Sequence, residues 1–144
     1  MRRADTKEEA AFRAEVREWL EANADRRAVG PPVPLDHSPE AEARHHEAAK
    51  VWQRKKFEGG WAAITWPVEY GGRGGTPIQQ MIWNEEQARY KTPGDIFSIG
   101  IGMCGPTVMA HGTPEQQARW IPKLLSGEEV WCQLFSEPVN SGRR

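Results

Sequence analysis

Residues 111–138 read HGTPEQQARWIPKLLSGEEVWCQLFSEP, and two periodicities meet inside this stretch. Thr113-Pro114-Glu115-Gln116 is a helix start: a hydroxyl at the cap, proline in the first turn and a glutamine placed to reach back. Pro122 should break or kink that helix, because its ring disfavours helical geometry at Ile121. Ser126-Gly127 ends it. From residue 130 to 136 the pattern alternates instead, with Val130, Cys132 and Leu134 on one side and Trp131, Gln133 and Phe135 on the other. A strand at 130–136 needs sheet partners, and nothing earlier in the chain reads as one. The expectation is an all-α domain followed by one terminal β-strand, the first of a β domain missing from this chain.

The segments upstream bear out the helical half of that reading. Thr6-Lys7-Glu8-Glu9 is a capping box, and Phe12, Val16, Trp19 and Leu20 follow at helical spacing. The helix should fade near 23–27, and Gly30-Pro31-Pro32-Val33-Pro34 follows as a stiff extended link. Ser38-Pro39 opens a second helix with Ala41, His45, Ala48, Val51 and Trp52 on its inner face, stopped by Gly59-Gly60. Residues 61–75 carry too much glycine and proline for helix and read as an ordered loop. Thr76-Pro77-Ile78-Gln79 repeats the cap seen at 113–116 and starts a third helix, carried by Ile78, Met81, Ile82 and Trp83 to about Lys91. Residues 96–111 are open between buried helix and strand: their length favours helix and their glycines do not.

The totals narrow the function. Nineteen basic against 20 acidic residues give a net charge of -1, without the basic stripe that nucleic-acid binding needs. Two cysteines, Cys104 and Cys132, provide neither a disulfide framework nor a thiolate metal site. The longest uncharged run, 96–110, falls short of the ~18–20 apolar residues of a membrane span and is interrupted by glycines and Pro106. A charged helix follows the N-terminus where a signal peptide would be apolar, so the cytoplasm is the expected compartment. Only 38% of the residues are hydrophobic, yet seven are tryptophan. A polar chain with many large aromatics is expected to bury part of its surface against something else.

Individual motifs do not make a catalytic centre. Gly100-Ile101-Gly102-Met103-Cys104-Gly105 matches a dinucleotide fingerprint in letters, but Pro106 and Gly112 leave no room for the strand–turn–helix the mechanism requires. Close packing of the glycines against a neighbouring helix or a ligand chain is favoured. Gly71-Gly72-Arg73-Gly74-Gly75 lacks the lysine and hydroxyl of a phosphate loop and reads as a turn. His45 and His46 are adjacent, so they diverge on a helix and suit no metal. Glu85-Glu86 and Glu128-Glu129 read as solvated surface.

Three colinear stretches carry more together: GGWAAITWPVEYGGRGG (59–75), IQQMIWNEEQARY (78–90) and residues 111–138 quoted above. Over residues 5–138 the chain resembles the N-terminal part of acyl-CoA dehydrogenases. The resemblance implies an all-α, helical N-terminal domain at 1–128. Residues 129–144 would then be the first strand and an incomplete flavin motif of a middle β domain. It also implies FAD as cofactor, an acyl-CoA thioester as substrate and oxidation between its α and β carbons, in fatty-acid or related lipid catabolism. Electron-transfer flavoprotein would be the acceptor, and the assembly a homo- or hetero-oligomer. Matched position by position, Gln133, Leu134, Phe135 and Ser136 fall on the flavin-contacting strand, and Ile99, Met103 and Thr107 fall where the family lines its acyl pocket. The three glycines of 100–105 would leave room for a chain between helices.

The departures are equally specific. After Ser136-Glu137-Pro138 the family continues Gly-x-Gly-Ser-Asp, whereas this chain reads Val139-Asn140-Ser141-Gly142-Arg143-Arg144. The catalytic glutamate has no counterpart, so no catalytic residue is assigned and the chain is expected to be inactive alone. The other expectation is a stand-alone helical module that binds a partner or an acyl chain without redox chemistry.

Overall fold

The structure, a computed structural model, describes residues 4–27 and 36–134. Five α-helices form there: α1 (Lys7–Asn23), α2 (Pro39–Glu58), α3 (Pro77–Gln87), α4 (Gly105–His111) and α5 (Pro114–Ser126). Helix α1 packs on α3, and α2 and α4 pack on α5. The Pro-rich link at 30–34 lies outside the described residues.

Every helix start expected from a hydroxyl and proline or glutamate pattern forms. Thr6, Thr76 and Thr113 each accept from the third residue of their helix, and Glu9, Gln79 and Gln116 each accept from the cap backbone in return. Ser38 Oγ accepts from the Ala41 amide at 3.2 Å. These contacts satisfy amides that a helix start would otherwise leave open.

The tertiary faces differ from the simple periodicities. On α1 the expected Phe12, Val16 and Leu20 are buried, with Trp19 half-buried. On α2, Ala49, Trp52 and Gln53 are buried, while His45, Ala48 and Val51 are exposed. The stripe turned by one position because Gln53 is drawn inward: its Nε2 donates to the Leu125 carbonyl at 2.8 Å. Helix α3 ends at Gln87, short of Lys91, and buries Ile82, Trp83 and Glu86 while Ile78 and Met81 face out. Tyr90 leaves the helix to be buried beside the end of α1, where Arg26 and Tyr90 form an isolated antiparallel bridge. The Arg27 amide donates to the Arg89 carbonyl at 2.9 Å, and the Lys91 amide to that of Asp25 at 2.7 Å.

The aromatic side chains make one core cluster. Trp61 stacks on Trp83 at 5.0 Å, and Trp19 lies 5.5–6.0 Å from the rings of Trp52, Trp61 and Trp83. Phe12, Val16, Leu20, Ile64, Ile82 and Tyr90 pack around them. A second cluster joins Ala62, Ala63 and Trp66 to Ile121, Leu124 and Leu125 of α5.

The expected break at Pro122 does not occur, the alternative left open at 96–111 resolves to helix, and residues 130–134 form no strand. Helix α5 runs through Pro122 to Ser126. Ala118, whose carbonyl loses its partner there, is exposed, so water can take the lost bond. Residues 98–111 are helical, with a wide π turn at Gly100–Cys104 leading into α4. The Gly105 amide reaches back five residues to the Gly100 carbonyl, and the widened turn comes directly before Pro106, which has no amide to give. Finally, no strand forms at 130–134, because among the described residues none offers a ladder to it. The alternation survives as burial: Trp131 and Gln133 are half-buried and Val130, Cys132 and Leu134 exposed. Phe135 and Ser136 lie outside the described residues.

Candidate functional site

A cleft of about 620 Å³ opens between α2, the loop after it, α3 and the helical segment 98–111. Helix α2 contributes Trp52, Gln53 and Lys56, the loop Trp61 and Trp66, and α3 contributes Trp83, Asn84 and Gln87. The far wall is Asp95, Ser98, Ile101, Gly102 and Met109.

Glycine sets how closely that far wall approaches. A Cβ at Gly105 would overlap the Trp66 ring, and one at Gly100 would stand 2.5 Å from Leu124 Cδ1. These two glycines serve packing of the chain on itself. Gly102 has nothing within 4 Å of a built Cβ and faces the open cleft. The motif therefore divides: two positions hold the wall in place and one leaves space.

The cleft is polar for a space lined by four indoles. Lys56 is half-buried, and its Nζ makes no hydrogen bond or ion pair among the described residues. Burial lowers its pKa below the ordinary lysine value, with the Asp95 carboxylate opposing that effect. Trp52 Nε1, Gln53 Oε1 and Gln87 Oε1 are buried without a hydrogen-bond partner, and all three residues line this cleft.

Ile99, Met103 and Thr107 repeat along the helix on its outward face, beside the cleft and not among its lining. Ile99 is 39% and Met103 48% exposed. Thr107 Oγ1 donates to the Met103 carbonyl at 2.9 Å. Of the expected flavin segment, Gln133 is half-buried and Leu134 exposed. The segment passes close to the helix: a Cβ on Gly100 would stand 3.5 Å from Trp131 Cβ. Trp131 also meets Trp120 edge-on at 5.7 Å.

The remaining motifs are structural. Arg73 lies 3.8 Å over the Trp61 ring and pairs with Glu15 at 2.5 Å, so it lids the core. His45 and His46 have ring centroids 6.2 Å apart and exposed side chains, and no cluster of three possible metal ligands occurs among the described residues. No helix there is long and apolar enough to cross a membrane. Glu86 departs most from its expected surface role. It is fully buried, accepts from Arg13 and Arg17, and pairs with Arg89 at 3.2 Å. Burial would raise its pKa, but the bonds from Arg17 and Arg13 prevail and hold the carboxyl below its ordinary value. Ile82 and Glu86 share a face at i, i+4, as do Arg13 and Arg17, but only the packing of α1 on α3 brings the two faces together.

The five helices and the cleft they wall form a helical domain, and comparison with known proteins gives its family. Residues 6–128 match the family "Acyl-CoA dehydrogenase, N-terminal domain", and the chain belongs to the acyl-CoA dehydrogenase family. It is 39% identical to Acyl-CoA dehydrogenase IpdE1 of Mycolicibacterium smegmatis over 139 residues, 91% of this chain and 33% of that protein. It is 39% identical to FadE34 of Mycobacterium tuberculosis over 104 residues, 69% of this chain and 14% of that one. The chain thus spans a third or less of these relatives' lengths. The ChsE4-ChsE5 complex from Mycobacterium tuberculosis superposes with a TM-score of 0.62 at 25% identity, covering 89% of this chain and 30% of that one. The Tcur3481-Tcur3483 steroid ACAD gives 0.61 at 26%, with 90% and 32% covered.

Proposed function

We propose that this chain is the N-terminal domain of an FAD-dependent acyl-CoA dehydrogenase that acts on a bulky acyl-CoA in lipid catabolism, in the cytoplasm. The single observation behind this reading is the juxtaposition at Gly100. There the helix that walls the cleft and carries Ile99, Met103 and Thr107 lies against the segment that carries Gln133 and Leu134. An acyl group held along that helix would present its α and β carbons toward the segment.

Two observations on residues 130–134 support a flavin edge beside this segment. No backbone group of residues 130–134 enters a backbone hydrogen bond among the described residues, and the Leu134 side chain is 89% exposed. Free amides and an exposed apolar side chain are what a flat, polar-edged ring system can use. Gln133, Leu134, Phe135 and Ser136 would hold the isoalloxazine edge; FAD, when bound, accepts the hydride from the β carbon. The chain's own part is to bind and orient the acyl group and to keep water from it. Ile99, Met103 and Thr107 would form the side of the acyl path completed by a later domain. The base that removes the α-proton is expected from outside this chain, so the chain alone is inactive. Electron-transfer flavoprotein is the proposed acceptor. The paired subunits in the ChsE4-ChsE5 and Tcur3481-Tcur3483 assemblies favour a hetero-oligomer, and the steroid ACAD favours a polycyclic acyl group.

The test is to express this segment together with the β domain and helical bundle of its gene neighbourhood or of a close relative. Acyl-CoA-dependent reduction of a dye acceptor, with flavin bleaching, is the expected result. Binding of acyl-CoA without flavin or reduction would favour the stand-alone binding module instead.

A further inference from the structure

Filling the cleft with plain hydrocarbon would be costly. Its wall holds Lys56, whose ammonium has no partner among the described residues, beside Trp52, Gln53 and Gln87 with their buried unpartnered atoms. A saturated chain would strip water from the Lys56 donor and return nothing for it. Lysine can extend its head to bulk water from a half-buried stem, yet here the side chain lines the cleft with Asp95 in its electrostatic reach. The large apolar walls, meanwhile, come from Trp52, Trp61, Trp66 and Trp83. The volume of about 620 Å³ is in the range of pockets that take drug-sized ligands.

We propose that Lys56 is a specificity-determining residue that donates a hydrogen bond to a neutral oxygen, keto or hydroxyl, on a ring-bearing acyl group seated in this cleft. Asp95 lines the same cleft and already brings a carboxylate to it, so a neutral acceptor suits the site better than a second carboxylate. This rests on the function proposed above, with the acyl group running along the helix beside Ile99, Met103 and Thr107 and its ring-bearing end turned into the cleft, and it adds what that end must carry.

The experiment titrates the full chain with 1-decalone and with decalin, bicyclic probes that differ by one carbonyl, and follows tryptophan fluorescence. Decalone is expected to bind about tenfold more tightly, the worth of one hydrogen bond from a charged donor. Lys56→Met should erase that preference, with decalin bound at least as tightly as by the parent because no ammonium is left to desolvate, which also reports that the cleft still folds. Lys56→Arg should keep most of it. Equal affinity for the two probes in the parent, a preference that survives in Lys56→Met, or no binding of either overturns the proposal. A decalone preference in a full-length enzyme with no dehydrogenase activity would instead overturn the function proposed above and leave the role of Lys56 standing. Dehydrogenase activity without the preference does the reverse.

Discussion

Arg13 Nη1 stands 2.8 Å from Glu86 Oε1, a bond that crosses from α1 to α3 with the arginine side chain 11% and the glutamate side chain 1% exposed. Arg13 is held in turn by Asp5, from Nε at 2.5 Å, and by Glu85 at 2.8 Å. Arg17 reaches the same Glu86 at 2.8 Å. One buried carboxylate therefore clamps two helices through arginines spaced one turn apart.

Glu86→Gln is expected to lower stability by about 3 kcal/mol at neutral pH, the low end for breaking a buried pair because Arg17 and Arg89 remain partly in water. The Glu86 pKa is depressed on folding, so its contribution is full above the unfolded value of about 4.3 and is lost as pH falls through the lower folded value. Urea unfolding of parent and variant should differ clearly near pH ~7, and the gap should narrow progressively as the pH falls below about 4. A constant gap across that range would show that the glutamine disturbs packing instead of charge.

Gly105→Ala should destabilise the domain by roughly 1–3 kcal/mol, since its Cβ must displace the Trp66 ring. Gly102→Ala meets nothing within 4 Å and should be neutral or stabilise by up to about 1 kcal/mol through helix propensity. Thermal melts of the two variants side by side decide this. Equal losses would mean that the wall of the cleft packs differently from the arrangement described.

The chain alone should retain no stoichiometric flavin, because one short segment cannot enclose a cofactor that size. A visible spectrum after desalting from excess FAD checks it; a flavin band approaching one per chain contradicts it.

In the assembled enzyme, Ile99→Trp should lower kcat/KM for large acyl groups by tenfold or more, on the order of 1–3 kcal/mol per excluded methylene or two, and spare small ones. Acyl-CoAs of graded size give the answer. A uniform fall for every size would make Ile99 a support of the fold.

What could be read from the chain was mostly local. The caps at Thr6, Ser38, Thr76 and Thr113 depend on neighbours within three residues, and all four form. The apolar face of α1 was equally plain. Features that depend on distant partners were not. Gln53 faces inward because a carbonyl 72 residues away accepts from it, and Glu86 is buried because arginines on another helix meet it. Lys56 is a lysine in a basic stretch, indistinguishable by pattern from the exposed Lys55 beside it. Its position in a cleft appears only when α2 and the segment 98–111 come together. Residues 130–134 are unpaired for the converse reason: alternation is written in the sequence, but hydrogen-bonded pairing belongs to two segments.

The π turn at Gly100–Cys104 amounts to one surplus residue in the helix. Removing a residue from that turn would restore ordinary winding and rotate everything before it by about 100° against α4. Ser98 would leave the cleft for the place Ile99 now holds, and Ile99 would leave the outward face. A single codon thus sets which side chains look inward and which look out, and insertion or deletion at this point is a route by which related chains could exchange one ligand preference for another without repacking the core.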